Sequence, residues 1–364
     1  MEFIDLSKQQ QVIKSDLDFY ISKVLNHGKY IMGPEVAELE GLLASYVGSK
    51  NCIAVSSGTD ALLISLMALG IGPGDEVITT PFTWISTVEV ILLSGATPVF
   101  VDIERATCNI DHKKIKEAIS TKTKAVIPVS LYGQPSNMDE INEIAAQHNI
   151  SVIEDAAQSF GSLYKEKFSC NLSSLGCTSF FPSKPLGCYG DGGAVFTNDD
   201  DLSNICREIR LNGQQNRDKF NRVGLPARMD TLQAAVLLAK LKIFPNEIKR
   251  RQEIGQRYNE LFSAANIEHI IQHEDRTSVF AQYTIFSSER DKLASELNSK
   301  GIPTAVHYRN PVYFHEPYMS FKKDCEETLK ASKQVLSIPM HPYLSDKDQF
   351  FIVEVIKSFL SNGS

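Results

Sequence analysis

Between residues 50 and 200 of this chain, short runs rich in β-branched and aromatic residues alternate with longer stretches of helical periodicity. That alternation folds as a mostly parallel sheet covered by helices, an α/β architecture. Candidate strands lie at 52–56, 76–79, 98–102, 125–130, 152–154, 178–181 and 194–197, and candidate helices at 59–69, 85–93, 111–119 and 138–148. A helix over about 229–243 precedes Pro245. A second over 247–262, with Ile248, Ile254, Tyr258 and Leu261 spaced helically among charges, opens a smaller α+β unit. The expected division is a large α/β domain over 14–243 and a small one over 244–364, with residues 1–13 free to pack on the latter. Lys249-Arg250-Arg251 reads as the solvated face of its helix, given the acidic neighbours.

Charge and composition then remove whole classes of function. The chain has 37 Lys and Arg against 44 Asp and Glu, a net charge of -7, the reverse of what a phosphate backbone attracts. No nucleic-acid partner is expected. Acids at Glu2 and Asp5 stand where a secretory signal needs a basic region, so a mature cytoplasmic protein is expected. The longest uncharged apolar-rich stretch, 90–101, contains Ser94, Gly95 and Pro98 and falls short of the ~20 residues that span a bilayer. Seven cysteines without a C-x-x-C pair imply neither a disulfide framework nor a metal site, and read as small apolar residues.

Three segments carry chemistry. Ser56-Ser57-Gly58-Thr59-Asp60 joins a strand to an apolar helix, where free N–H groups and the helix dipole attract an anion such as a phosphate. The same residues are also what plain helix capping requires. Val152-Ile153-Glu154-Asp155 is a buried strand ending in two carboxylates, at the sheet edge where open α/β folds bind ligands. Successive strand residues face opposite sides, so one of the two acids should reach the ligand. Lys184 sits between Pro182 and Pro185 among aromatic residues and glycines. A lysine held in that way can lose its proton by desolvation and attack a carbonyl.

A phosphate-binding helix end, an acid at a strand end and a held lysine together are what pyridoxal phosphate (PLP) requires. The stretches Gly58-Thr59-Asp60-Ala61, Glu154-Asp155-Ala156-Ala157-Gln158-Ser159, Ser179-Phe180-Phe181-Pro182-Ser183-Lys184 and Gly190-Asp191-Gly192-Gly193-Ala194 resemble the DegT/DnrJ/EryC1/StrS nucleotide-sugar aminotransferases. The likeness runs from Ile4 to Pro342. It implies the aspartate-aminotransferase fold (PLP fold type I), with active sites completed across a homodimer. Lys184 matches the Schiff-base lysine, Asp155 the partner of the pyridine nitrogen, and Gln158 the residue near the cofactor's phenolic oxygen. Gly58, Thr59, Asp60 and Ser179 match the phosphate site, and Trp84 the ring stacked on the pyridine. Two departures stand out: Pro226 replaces the family's usual asparagine, and Arg309 replaces a proline after His307-Tyr308.

The resemblance implies transfer of an amino group, by family likeness from L-glutamate with release of 2-oxoglutarate, to the keto carbon of a nucleotide-linked sugar. The phrases around Tyr132, Lys184 and His307 look most like enzymes acting at C3 of UDP-2-acetamido-2-deoxy-3-oxo-glucuronate for bacterial surface polysaccharide. Such a substrate carries a carboxylate. Arg228 is the candidate to grip it, with His307 and Tyr308 as neutral supports and Arg309 in reserve. The alternatives are a neutral 3-keto or 4-keto deoxysugar, a sugar dehydratase, which Lys184 speaks against, and a non-catalytic regulatory relative.

Overall fold

In the computed structural model, which describes residues 1–362, Gly28, the Gly33-Pro34 pair and Gly48 punctuate the start into α1 (Leu6–Val12), α2 (Lys14–His27) and α3 (Pro34–Val47). The α/β alternation follows as β1 (Asn51–Val55), α4 (Gly58–Ala68), β2 (Glu76–Thr79), α5 (Ser86–Leu93), β3 (Thr97–Phe100), α6 (His112–Ala118), β4 (Thr123–Val126), α7 (Met138–His148) and β5 (Ser151–Asp155). A two-residue hairpin pair, β6 (Leu163–Tyr164) and β7 (Lys167–Phe168), leads to β8 (Leu175–Ser179), β9 (Gly193–Thr197) and α8 (Asp200–Arg210). A small ribbon, β10 (Gln214–Asn216) and β11 (Lys219–Phe220), then precedes α9 (Thr231–Leu241) and α10 (Phe244–Ala264). The rest is β12 (Tyr283–Phe286), α11 (Arg290–Ser299), α12 (Glu326–Gln334), β13 (Val335–Ile338) and α13 (Asp346–Asn362).

Seven strands form one sheet in the order β1-β9-β8-β5-β4-β2-β3. Only β9 runs against its neighbours, so the other six send their carboxyl ends to one edge. Both faces are buried, as parallel sheets require. On β1, Cys52 and Ala54 pack towards α2, α3 and α9, while Ile53 and Val55 pack towards α4 and α8. A third apolar cluster joins α10, α11, α13 and the β12–β13 pair. Helix α10 serves two clusters, giving Phe244 and Ile248 to the first and Ile254, Tyr258 and Phe262 to the third. The N-terminal segment lies on this last part: Met340 donates to the Phe3 carbonyl, and Gln9 donates to the buried carboxylate of Glu247.

Two readings are corrected. Arg251 is not on a solvated face: it is 4% exposed and donates to the Phe280 carbonyl at 3.1 Å, and burial pulls its pKa down to about 10. The strand expected over 125–130 ends at Val126, because Pro128 has no N–H for the ladder. All seven cysteines are free and buried. Among the described residues, no helix is long and apolar enough to cross a membrane.

Candidate active site

The loops leaving β1, β2, β5 and β8 open on one cavity of about 520 Å³, closed on its far side by Gln282 and by the segment Val306-His307-Tyr308. Ser57, in extended conformation (φ -161°, ψ 165°), caps α4 by accepting the Asp60 N–H at 3.0 Å. That leaves the first-turn N–H groups of Gly58 and Thr59 without an acceptor among the described residues, at the positive end of the helix. Gly58 presses against the end of β8, where any Cβ would stand 2.7 Å from the Cβ of Ser179. Gly58, Thr59 and Ser179 all line the cavity. Asp60 does not. Its carboxylate instead accepts from the hydroxyls of Ser56 and Ser57 at 2.5 and 2.9 Å, a local cap rather than a wall of the site.

At the end of β5 the two acids part, as strand geometry demands. Asp155 faces the cavity. Burial raises its pKa, opposed by the Thr87 hydroxyl at 2.8 Å, the Ala157 N–H at 3.2 Å and the positive charge of Lys184. Glu154 lies on the other face, fully buried, and accepts from Ser169, the Cys170 N–H and Ser130; burial pushes its pKa up to about 7.

Lys184 is held by its own backbone, its N–H donating to the Phe181 carbonyl at 2.8 Å. The turn continues through Gly187, where a Cβ would stand 2.6 Å from two carbonyl oxygens. The Lys184 amine lines the cavity and donates no hydrogen bond to the described residues. Desolvation pulls its pKa below the ordinary lysine value, although the Asp155 carboxylate opposes this. A desolvated, unpaired amine is a nucleophile towards a carbonyl carbon.

Gln158 spans the cavity floor, its Oε1 accepting from the Tyr132 N–H at 2.9 Å and its Nε2 donating to the Tyr308 hydroxyl at 3.2 Å. Trp84 stands at the mouth, 60% exposed, with its ring 6.3 Å from that of Tyr308. His307 and Tyr308 complete the far wall. Burial and the nearby Lys184 charge push His307 down to about 4, while burial and the Asp155 charge push Tyr308 up.

The structure leaves the proposed cation apart from this group. Arg228 does not line the cavity of its own chain, and its guanidinium has no hydrogen-bond or ionic partner among the described residues. Arg309 is exposed and donates to Asp291 at 3.1 Å. Conversely, Thr83, Thr87, Phe181, Asp191 and Gln282 line the cavity although none of them was given a role from the sequence. Thr83 lies in the bend before α5 and Thr87 in the first turn of that helix, and no sequence motif marks either.

The model of the DegT/DnrJ/EryC1/StrS aminotransferase family matches residues 11–357. The chain belongs to this family. It is 51% identical over 362 residues, all of both chains, to the UDP-2-acetamido-2-deoxy-3-oxo-D-glucuronate aminotransferase of Pseudomonas aeruginosa. Among solved structures, a family aminotransferase from Brucella abortus is 40% identical, with a TM-score of 0.95 over 99% of each chain. The ntda protein of Bacillus subtilis, solved with bound cofactor PMP, is 31% identical with a TM-score of 0.91, over 99% of this chain and 83% of that one. The aminotransferase is therefore PLP-dependent, with the fold of its relatives. Its residues fit that group: free N–H donors at a helix end, an unpaired desolvated amine and a buried carboxylate share one cavity.

Proposed function

We propose that this aminotransferase moves an amino group from L-glutamate to C3 of UDP-2-acetamido-2-deoxy-3-oxo-glucuronate, in the cytoplasm, for bacterial surface polysaccharide. The observation that carries the reading is full-length 51% identity to an enzyme named for that substrate, together with a cavity that gathers Lys184, Asp155 and Gln158. We take residues 14–243 as the cofactor domain and 244–364 as the small domain.

When bound, PLP supplies an electron sink that stabilises negative charge beside the reacting amine. The roles proposed for the chain's own residues follow from their settings. Lys184 would hold the cofactor aldehyde through its amine and, once released, would move the proton between the donor α-carbon and the cofactor carbon. Asp155 keeps the pyridine nitrogen protonated through a charge-assisted hydrogen bond, with Thr87 holding the carboxylate in place. The N–H groups of Gly58 and Thr59, with Ser179, hold the phosphate. Trp84 covers the ring, and Gln158 is placed to donate its remaining amide proton to the phenolic oxygen.

A uronate needs a cation, and Lys184 is the one lysine or arginine among the described residues that line the cavity. The proposed homodimer answers this need, with Arg228 of the partner subunit entering the site and pairing with the carboxylate in two parallel hydrogen bonds. Arg228→Ala tests it. An unpaired carboxylate costs roughly 10²-fold, so the variant should lose about that factor on the uronate and far less on a neutral keto-sugar. Equal loss on both, or faster wild-type turnover of a 4-keto 6-deoxysugar, would favour the neutral-sugar reading. The ketone itself is identified by incubating the pyridoxamine form with a panel of nucleotide keto-sugars and recording which restores the aldehyde absorbance.

A further inference from the structure

A polar atom buried without a hydrogen-bond partner costs stability, and a ligand is one way to complete it. Eight side-chain atoms among the described residues are of this kind, and only one of them, Gln282 Oε1, belongs to a residue that lines the active-site cavity. The Nε2 of Gln282 makes no hydrogen bond to the described residues either. Exchanging the two ends of the amide therefore changes nothing, because neither end has a partner.

Gln282 directly precedes β12 and stands on the wall of Val306, His307 and Tyr308, away from the loops that carry Gly58, Thr59, Asp155 and Lys184. Those loops, with Gln158, already provide for each polar group of the cofactor, which leaves Gln282 for the substrates. The amide carries no charge, and a carboxylate, whether of L-glutamate or of a uronate, offers acceptors alone. A hydroxyl or an acetamido group both donates and accepts, so it completes the amide whichever end faces it.

We propose that Gln282 is a specificity residue that hydrogen-bonds a neutral hydroxyl or acetamido group of the sugar, which supplies the partner the protein withholds. The inference rests on the reading that a nucleotide-linked keto-sugar receives the amino group, and not on which ketone it carries. A rival comes from a second cavity of about 10 Å³ that Gln282 also borders, together with Gln134, Gln272, Ser278 and Thr284. That volume admits roughly one water. If such a water completes the amide, Gln282 is a structural residue and the sugar does not need it.

Gln282→Leu and Gln282→Met keep the bulk, lose the amide and separate the two. Each half-reaction is followed by cofactor absorbance: the aldehyde form with L-glutamate, and the pyridoxamine form with whichever keto-sugar of the panel restores the aldehyde in the wild type. In both variants kcat/KM of the sugar half-reaction should fall about tenfold, through weaker apparent affinity rather than a slower limiting rate, while the glutamate half-reaction changes less than about twofold. Thermal unfolding of the holoenzyme without sugar should be unchanged or shifted upward, since an unpartnered polar atom gives way to an apolar one. Equal losses in both half-reactions, or an unchanged sugar half-reaction, would overturn the assignment. A lowered melting temperature with full sugar affinity would give the amide to the water instead. A wrong sugar shows in the wild type, as failure to restore the aldehyde form, whereas a wrong role for Gln282 shows only in the ratio of variant to wild type.

Discussion

The wall of the cavity that carries Gly58, Thr59, Asp155 and Lys184 is made of loops leaving one edge of one sheet. The opposite wall, with Gln282, Val306, His307 and Tyr308, comes from segments that reach the cavity only through the packing of a different apolar cluster. On the first wall the helix end and the lysine turn are fixed by their own few neighbours in sequence: Ser57 caps α4 through the Asp60 N–H and leaves those of Gly58 and Thr59 free, and the Phe181 carbonyl holds the Lys184 turn. On the second, His307 is placed by Tyr132 and Ser337, which lie 175 and 30 residues away along the chain. Locally determined chemistry therefore sits where cofactor is proposed to bind, and long-range contacts shape the side proposed for the sugar.

Breaking the first wall should have the largest effects. Lys184→Ala should abolish the adduct trapped by borohydride and lower turnover by about 10⁴-fold or more, read by stopped-time assay of 2-oxoglutarate. A normal reducible adduct in that variant would overturn the assignment. The pair at the end of β5 offers a sharper contrast. Asp155→Asn should cost roughly 10²-fold in turnover with stability largely kept, since it removes one charge-assisted hydrogen bond. Glu154→Gln should act on stability instead. Folded, Glu154 titrates near 7 rather than at its ordinary 4.5, so between those values the folded state holds more protons and stability falls as pH rises. Denaturant unfolding at about pH 5 and pH 8 should show the wild type losing up to roughly 3 kcal/mol from this group, with the slope flattened in Glu154→Gln. The same slope in the variant would show that the burial of Glu154 is not its source.

The same contrast explains what was legible in the sequence. Strand 76–79 and helix 138–148 are reproduced residue for residue, because alternation and amphipathic periodicity are local. The start of β8 was not legible: the strand was expected over 178–181, yet it begins at Leu175, and Gly176 is there because the Cys170 backbone passes so close that a Cβ would stand 2.3 Å from its carbonyl oxygen. Arg251 was misplaced because charge marks a surface only until a buried acceptor, here the Phe280 carbonyl, is known. Asp60, matched to the phosphate site by resemblance, spends its carboxylate on the Ser56 and Ser57 hydroxyls, since capping and anion binding use the same residue types.

Thr87 sharpens the comparison from inside the cofactor wall. It touches Asp155 from α5, and Thr83 lies 3.1 Å behind it, so the carboxylate rests on a hydroxyl pair that the sequence did not advertise. Thr87→Val should weaken turnover about fivefold, with the absorbance of the bound cofactor shifting its pH dependence, and Thr87→Ser should restore both. A loss that serine does not rescue would mean the methyl group, not the hydroxyl, matters there.

The smallest signal tests whether the two walls of one chain suffice. Arg228 belongs to neither wall, and the site proposed above takes it from the partner subunit. Lys184→Ala and Arg228→Ala each remove one half of every site in a homodimer of identical chains. Mixed after subunit exchange, half of the dimers pair one variant with the other. In each of these, one site combines an intact Lys184 with an intact Arg228 of the partner subunit, and the second site lacks both. Half of the dimers with half of their sites gives about a quarter of wild-type uronate turnover, against near zero for either variant alone. If Arg228 instead served the site of its own chain, every mixed site would lack one group and no activity would return. Exchange verified by mass spectrometry, with no recovery, would therefore move Arg228 back to its own subunit and leave the carboxylate without its proposed cation.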